Sequence, residues 1–410
     1  MLTSATGLVE KTARDGFLQI RVAGSPLEMG AQHGELLRDE IRDLVEQVHR
    51  HVLYGQPGMI GWGIRRAART AAVVMNARVP DRYREEMAGI ARAAGVSYWD
   101  VVLVNCFDDI LANLRLLGAM FGRLGCSVFA LGPERTATNQ LICGRNLDYF
   151  VAGSVADDAW AATNYMKEHL VAVEYSPNDR LRFVGVGWPG LAGVFTGLSE
   201  AAVVAASLTV RTIVNRPIAT PAPFIYRQVL EQATSLDSAV SILRQSRRTQ
   251  ANNVLLASGA EGTAAIAEFT PWKLAVRELE GGWTVATNHF SHPAMLGRNP
   301  RQRYASSWDR STRLGELCST TGPDTRLNDV RDFMMDTHLH RADATEYCRV
   351  FNPCTVLSTL FVPDERRLWV RATDRPDRQF EEIRLCSSAD ASRLGSGQWV
   401  REHERDLFVR

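Results

Sequence analysis

Lysine is scarce in this 410-residue chain: only Lys11, Lys167 and Lys273 stand among its 47 basic residues. That skew toward arginine fits a GC-rich coding sequence better than a binding surface, and no function is drawn from it. Charge is nearly balanced, 47 basic against 46 acidic residues, with no block of like charge. Nucleic acid and anionic membrane surfaces attract an excess of positive charge, so neither is expected as a partner. A small-molecule or peptide ligand is expected instead. Nowhere do 18 apolar residues run uninterrupted, and the start MLTSATGLVEKTARDGFLQI lacks the basic-then-apolar order of an export signal. The expectation is a soluble, cytoplasmic protein. Its seven cysteines (Cys106, Cys126, Cys143, Cys318, Cys348, Cys354 and Cys386) form no CxxC pair. An odd, scattered set fits reduced thiols better than a disulfide framework or a zinc site.

With 45% hydrophobic residues, the chain can bury a large core as one domain or two interlocked lobes. After a first strand, Ser25, Pro26 and Glu28 mark a helix start, and apolar residues from Leu36 to Val48 recur at helical spacing. Further helices are expected in WGIRRAARTAAVVMNAR, DRYREEMAGIARAAG and SYWDVVLVNCFDDILANL, so the first 120 residues read as mostly helical. From Cys126 onward, short Val-, Phe- and Leu-rich runs bounded by Gly, Pro, Asn and Asp read as strands. Two helices, APFIYRQVLEQA and SLDSAVSILRQS, interrupt them. Runs of strands followed by runs of helices indicate an α+β protein of stacked layers.

Several motifs fail on context. GVGWPG, residues 185–190, matches the dinucleotide fingerprint, but Pro189 interrupts the turn and a strand-like segment follows where a helix is needed. A tight turn with close backbone packing explains its glycines better. His338 and His340 in THLH would share one face of a strand, yet no third metal ligand stands at a recognisable spacing. His289 and His292 meet the same objection, and His33 reads as a packing residue. No metal or cofactor is expected.

Cys126 stands directly after Gly125, at the start of a strand. A nucleophilic thiol needs a base, usually His, and residues 121–168 contain none. A Cys-His pair would need distant His289. Alternatively, cutting the Gly125–Cys126 bond makes Cys126 a chain start whose own α-amino group, with a pKa of about 7.7–8.0, accepts the thiol proton. The following GRN-x-D, returning beside Cys126 across a hairpin, would bring Asp148 to the ammonium and Arg145 to the reacting carbonyl.

GCSVFALGPERTATNQLICGRNLDYF resembles the autoproteolytic N-terminal nucleophile (Ntn) hydrolases of the acyl-coenzyme A:6-aminopenicillanic acid acyltransferase group, the isopenicillin-N acyltransferases of peptidase family C45. GSPLEMGAQHGELLRDEI, PGLAGVFTGLSEAAVVAASL, AAIAEFTP, TVATNHF, SSWDRSTRL and TVLSTLFVPDERRLWVRAT are similar to its other segments, in the same order. The resemblance implies a four-layer αββα sandwich with a helical N-terminal segment. It also implies autocleavage between Gly125 and Cys126 into an α chain (1–125), which stays bound, and a β chain (126–410) carrying the core. Cys126 is then the nucleophile, with Asp148 near it and Asn288 as the oxyanion-hole amide. Arg145 and Arg310 match recurrent arginines, and Thr270 falls where some members carry Ser; Arg310 and Thr270 are expected at the substrate. Three departures stand out: Ser127 follows Cys126 where Thr is common, Phe351-Asn352 replaces the Ser-Arg of the penicillin-forming members, and GPERTAT is longer than the turn in the fungal enzymes.

The sequence thus predicts a self-processing amidohydrolase or acyltransferase. It would move an acyl group from an amide or thioester through a Cys126 thioester to water or an amine, in natural-product, peptide or β-lactam-like metabolism. Two rivals remain at this point: an uncut Cys126–His289 thiol hydrolase, and a non-catalytic small-molecule-binding protein of the same fold.

Overall fold

Residues of opposite parity along Gly125–Leu131 face two different apolar layers, and that alternation explains the architecture. Val128 and Ala130 point one way, Phe129 and Leu131 the other. The computed structural model describes residues 10–53, 58–113, 125–149, 165–212, 215–299 and 305–385. Within these, strands run in chain order β1 (Glu10–Ala13), β2 (Phe17–Gly24), β3 (Gly125–Leu131), β4 (Ile142–Asp148), β5 (Leu170–Pro177), β6 (Phe183–Gly187), β7 (Thr196–Ser199), β8 (Val203–Thr209), β9 (Asn252–Ser258), β10 (Thr263–Phe269), β11 (Leu274–Glu278), β12 (Trp283–Ala286), β13 (Thr355–Val362), β14 (Arg367–Ala372) and β15 (Glu381–Arg384). They form a nine-stranded sheet in the order β1-β2-β5-β6-β7-β8-β9-β10-β11 and a six-stranded sheet in the order β12-β3-β4-β13-β14-β15.

The sheets stack face to face. Val128, Cys143, Val356 and Phe361 of the smaller sheet pack against Val184, Leu198, Leu255 and Ile266 of the larger one. Each large apolar side chain buried there contributes roughly 1.5–3 kcal/mol. Helices cover the outer faces. On the larger sheet lie α1 (Pro26–Leu36), α2 (Arg38–Gln47), α3 (Gly58–Asn76), α4 (Asp81–Ala94), α5 (Tyr98–Asn105), α6 (Phe107–Asn113), α7 (Ala222–Gln232) and α8 (Leu236–Gln245). On the smaller lie α9 (Ala305–Ser319) and α10 (Leu327–Met334), whose Leu314, Cys318, Val330 and Phe333 meet Phe129 and Leu360. The order helix, sheet, sheet, helix is the expected αββα sandwich.

Two of the expected helices are broken. The one starting at Ser25 divides at Leu37 into α1 and α2, although its capping box forms as expected. The one over residues 97–114 divides at Cys106 into α5 and α6. The described N-terminal segment opens with two strands before its helices, and β2 pairs in parallel with β5 and extends the larger sheet. Helices α1 and α4 approach so closely that a Cβ on Gly30 would lie 2.0 Å from the Glu86 carbonyl oxygen. His338 and His340 lie outside any strand, and His340 pairs with Glu316 at 2.9 Å. No helix of the described residues is long and apolar enough to cross a membrane, and none of their His, Cys, Asp and Glu side chains cluster in threes to hold a metal ion.

Candidate active site

The hairpin of β3 and β4 sets the site by register. Gly125 pairs with Asp148, Cys126 with Leu147 and Val128 with Arg145. Directly paired residues share a sheet face, so the side chains of Cys126 and Arg145 point between the two sheets while Asp148 points to the helical side. A cysteine and an arginine on one face, with an aspartate behind the preceding peptide bond, therefore follow from strand geometry.

Cys126 is buried at the inner face. Burial pushes its thiol up, opposed first by the Arg145 guanidinium, which faces it, and also by Arg310. Arg145, itself fully buried, spans the sheets: it donates to Thr196 Oγ1 and, at 2.8 Å, to the Ser207 carbonyl. On the other side of the strand, both Asp148 oxygens are held: Oδ1 accepts from Thr355 Oγ1 at 2.7 Å, and Oδ2 accepts from Asn352 Nδ2 at 2.9 Å. Burial raises the Asp148 carboxyl, and Arg310, 3.8 Å away, offsets part of that rise.

Asn288 lies just beyond β12. Its Oδ1 accepts from the Cys126 amide at 2.7 Å and from Arg310 Nη2 at 2.9 Å. Two donors on one atom fix the amide's orientation, leaving Nδ2 to donate to the Thr209 carbonyl at 2.8 Å. An amide nitrogen carries two hydrogens, and among the described residues the second has no acceptor, which leaves it for an oxyanion. Arg310, on α9, also donates to the Cys126 carbonyl and, at 2.8 Å, to Ser127 Oγ. The start of α9 further fixes the segment, since Ser307 Oγ accepts from the Asn288 amide at 2.9 Å.

The structure therefore brings together Gly125, Cys126, Arg145, Asp148, Asn288 and Arg310. Arg310 binds the backbone of Cys126 rather than standing free for a substrate. Thr270 stands apart, at the β10–β11 turn, where its Oγ1 accepts from the Trp272 and Lys273 amides. His289 is engaged by the start of α9: its Nδ1 lies 2.7 Å from Ser307 Oγ and its ring stacks on Trp308 at 3.7 Å. Burial pushes its pKa down to about 4, so the ring is neutral near pH 7. Asn352 and Thr355 were not expected at the site. They are more than 200 residues from Asp148, and only the sequence departure at Asn352 marked the position. Tyr149 and Asp108 are a further unforeseen pair, joined at 2.8 Å beside Arg145. Residues 114–124, which lead up to Gly125, and Cys386 lie outside the described residues.

A thiol facing a buried guanidinium, an amide with a hydrogen to spare and a strand start between two stacked sheets define the class: an αββα sandwich of the Ntn-hydrolase type. The chain belongs to the acyl-coenzyme A:6-aminopenicillanic acid acyl-transferase family, whose model matches residues 137–376. That match begins after Cys126 and includes Arg145, Asp148, Asn288 and Arg310. The 40 kDa form of acyl-coenzyme A:6-aminopenicillanic-acid-acyltransferase from Emericella nidulans is 24% identical, over 74% of this chain and 77% of its own. Mouse acid ceramidase is 24% identical, over 54% of each chain. The solved N-acylethanolamine-hydrolyzing acid amidase ortholog of Caenorhabditis elegans shares 19% identity, with a TM-score of 0.41, over 64% of this chain and 100% of that one. The chain spans between about half and two thirds of the length of several curated relatives it matches.

Proposed function

We propose that this protein is a self-processing N-terminal-nucleophile acyltransferase or amidohydrolase, with residues 1–125 and 126–410 as its two fragments. The observation that carries the reading is the position of Cys126: its amide is bound to Asn288 Oδ1 while its thiol faces Arg145. In the precursor the thiol sulfur attacks the Gly125 carbonyl carbon and the C–N bond breaks, leaving a thioester and a free Cys126 amine. Water then hydrolyses the thioester, releasing the Gly125 carboxylate and the thiol.

In the mature form, the Cys126 α-amine accepts the thiol proton. The thiolate attacks an amide or thioester carbonyl, and the spare Asn288 Nδ2 hydrogen donates to the oxyanion. The ammonium returns the proton to the leaving amine or thiol. Water or an amine then attacks the acyl-Cys126 thioester and regenerates the thiol. Asp148, held by Asn352 and Thr355, faces the α-amine side, and Arg310 fixes the Cys126 carbonyl. The acyl-coenzyme A and 6-aminopenicillanic acid for which the Emericella relative is named, and the amide of a ceramide, both fit this chemistry. A role in natural-product, peptide or β-lactam-like metabolism and a cytoplasmic location belong to the same reading.

Rapid acid quenching during turnover of N-acyl amides and acyl thioesters tests it by intact mass. An acyl adduct on the fragment beginning at Cys126, absent from Cys126→Ala, is expected. Turnover by Cys126→Ala would overturn the proposal, as would turnover with no adduct on Cys126 even when added hydroxylamine or amine is varied.

A further inference from the structure

The turn after β6, Trp188–Val194, contains Gly190, the last glycine of the failed nucleotide motif, whose other two lie in β6, and its backbone is tied down group by group. Asn105, on α5 and fully buried, donates from Nδ2 to the Gly190 carbonyl at 2.9 Å. Its Oδ1 accepts from the Ala192 amide at 2.8 Å and the Gly193 amide at 2.9 Å. His33 Nε2 accepts from the Gly190 amide at 3.0 Å, the Tyr175 hydroxyl donates to the Leu191 carbonyl at 3.1 Å, and Arg227 Nη1 donates to the Ala192 carbonyl at 2.6 Å. Gly193 sits so close to α7 that a Cβ there would lie 2.4 Å from Pro223 Cβ. A turn with no regular secondary structure is thereby made rigid, because every one of these buried polar groups would cost about 1–3 kcal/mol if left unpaired.

Both ends of this turn reach the site. At one end Trp188 packs on Tyr149 with ring centroids 5.7 Å apart, in the same apolar layer as Cys126. At the other, half-buried Phe195 precedes Thr196, the partner of Arg145. We propose that Asn105 is a positioning residue: through the Trp188–Phe195 turn it sets an apolar wall beside Cys126 that receives the acyl chain. The inference rests on Cys126 being the acyl-accepting thiol. It also means that residues before the cut hold part of the pocket after it, so the N-terminal fragment is a working part of the enzyme. Trp188 and Phe195 suit an extended apolar acyl group, whose burial is favoured by about 0.8 kcal/mol per CH₂.

The test is the rate of Cys126 alkylation by N-methyl, N-hexyl and N-dodecyl iodoacetamide, followed by mass spectrometry with Cys126→Ala as the background. In each case the sulfur–carbon bond forms, iodide leaves and the thiol proton goes to solvent. The reading needs neither the cut nor turnover, so it is separable from failure of the proposed reaction, which the quench experiment detects. The wild type is expected to favour the dodecyl reagent over the methyl one. In Asn105→Leu that preference falls about tenfold or more, the scale of a lost apolar pocket contact. Asn105→Asp, which keeps the acceptor for the Ala192 and Gly193 amides, falls between, and Trp188→Ala reproduces the loss with Asn105 intact. Equal chain-length preference in the wild type and in Asn105→Asp or Asn105→Leu overturns the proposal, as does Trp188→Ala with the wild-type preference. Asn105→Asp keeps the test open if Asn105→Leu does not fold.

Discussion

Asn288 has two roles in the proposed reaction, because one amide accepts from the Cys126 backbone amide through Oδ1 and offers a hydrogen through Nδ2. Asn288→Ala is predicted to lower kcat about 10²–10³-fold, the cost of one oxyanion donor, measured by steady-state kinetics on the fragmented enzyme. Gly125 is as constrained: a Cβ there would lie 2.8 Å from Asp148 Oδ2 and 3.1 Å from Arg310 Nη2. Gly125→Val is therefore expected to accumulate uncut chain on denaturing gels, whereas free processing would remove steric room as the reason for glycine. Titration gives a third test. Burial holds His289 at about 4 and His33 at about 3, below the ordinary 6.5. A lowered histidine pKa means that the unfolded chain binds the proton first, so stability is full above pH 6.5 and falls as pH drops toward 4. Each histidine adds a slope of up to about 1.4 kcal/mol per pH unit in that window. Urea unfolding of His289→Gln should show a shallower acid slope than wild type; an identical slope would contradict a buried neutral ring.

At the scale of elements, the β3–β4 hairpin was legible because its information is local. Cys126, Arg145 and Asp148 lie within about one hairpin of each other, and period-two alternation assigns each to a face. Strand runs from β5 to β14 and the helices α7 and α8 are legible for the same reason, whereas the short α10 was not read from the sequence. What escaped was whatever depends on pairs distant in the chain. The break at Leu37 lies inside an unbroken apolar period, and the α1–α4 contact through Gly30 needs both helices to be seen together. Asn352 and Thr355 reach Asp148 only because β13 lies beside β4, with a register shift between Thr355 and Leu357. Arg310 was visible as a residue but not in its contacts, since the helix bearing it packs across the smaller sheet. Asn352→Leu is predicted to leave Asp148 Oδ2 without its amide donor and to shift the pH profile of kcat/KM while leaving the fold's melting temperature within a few degrees; an unmoved profile would show that Asn352 does not act through Asp148.

For the whole molecule, the central fact is that the proposed cut divides neither a layer nor a sheet into independent parts. Strand β2 extends the larger sheet beside β5, and α4 is tied to α7 through Arg227, which meets Glu86 at 2.7 Å and Glu231 at 2.8 Å with all three side chains fully buried. The rings of Tyr83, Tyr175 and Phe183 lie against the same guanidinium. Removing one partner of such a buried pair costs about 3–5 kcal/mol, so Arg227→Met should lower the urea midpoint and weaken the hold between fragments in gel filtration. The account as a whole stands on Cys126 becoming a chain start. Its most direct test is the intact mass and amino-terminal sequence of purified wild type and Cys126→Ala under denaturing conditions. Two wild-type fragments, one beginning Cys-Ser-Val-Phe, beside an intact Cys126→Ala chain are the predicted result; a single uncut chain in fully active wild-type enzyme would contradict it.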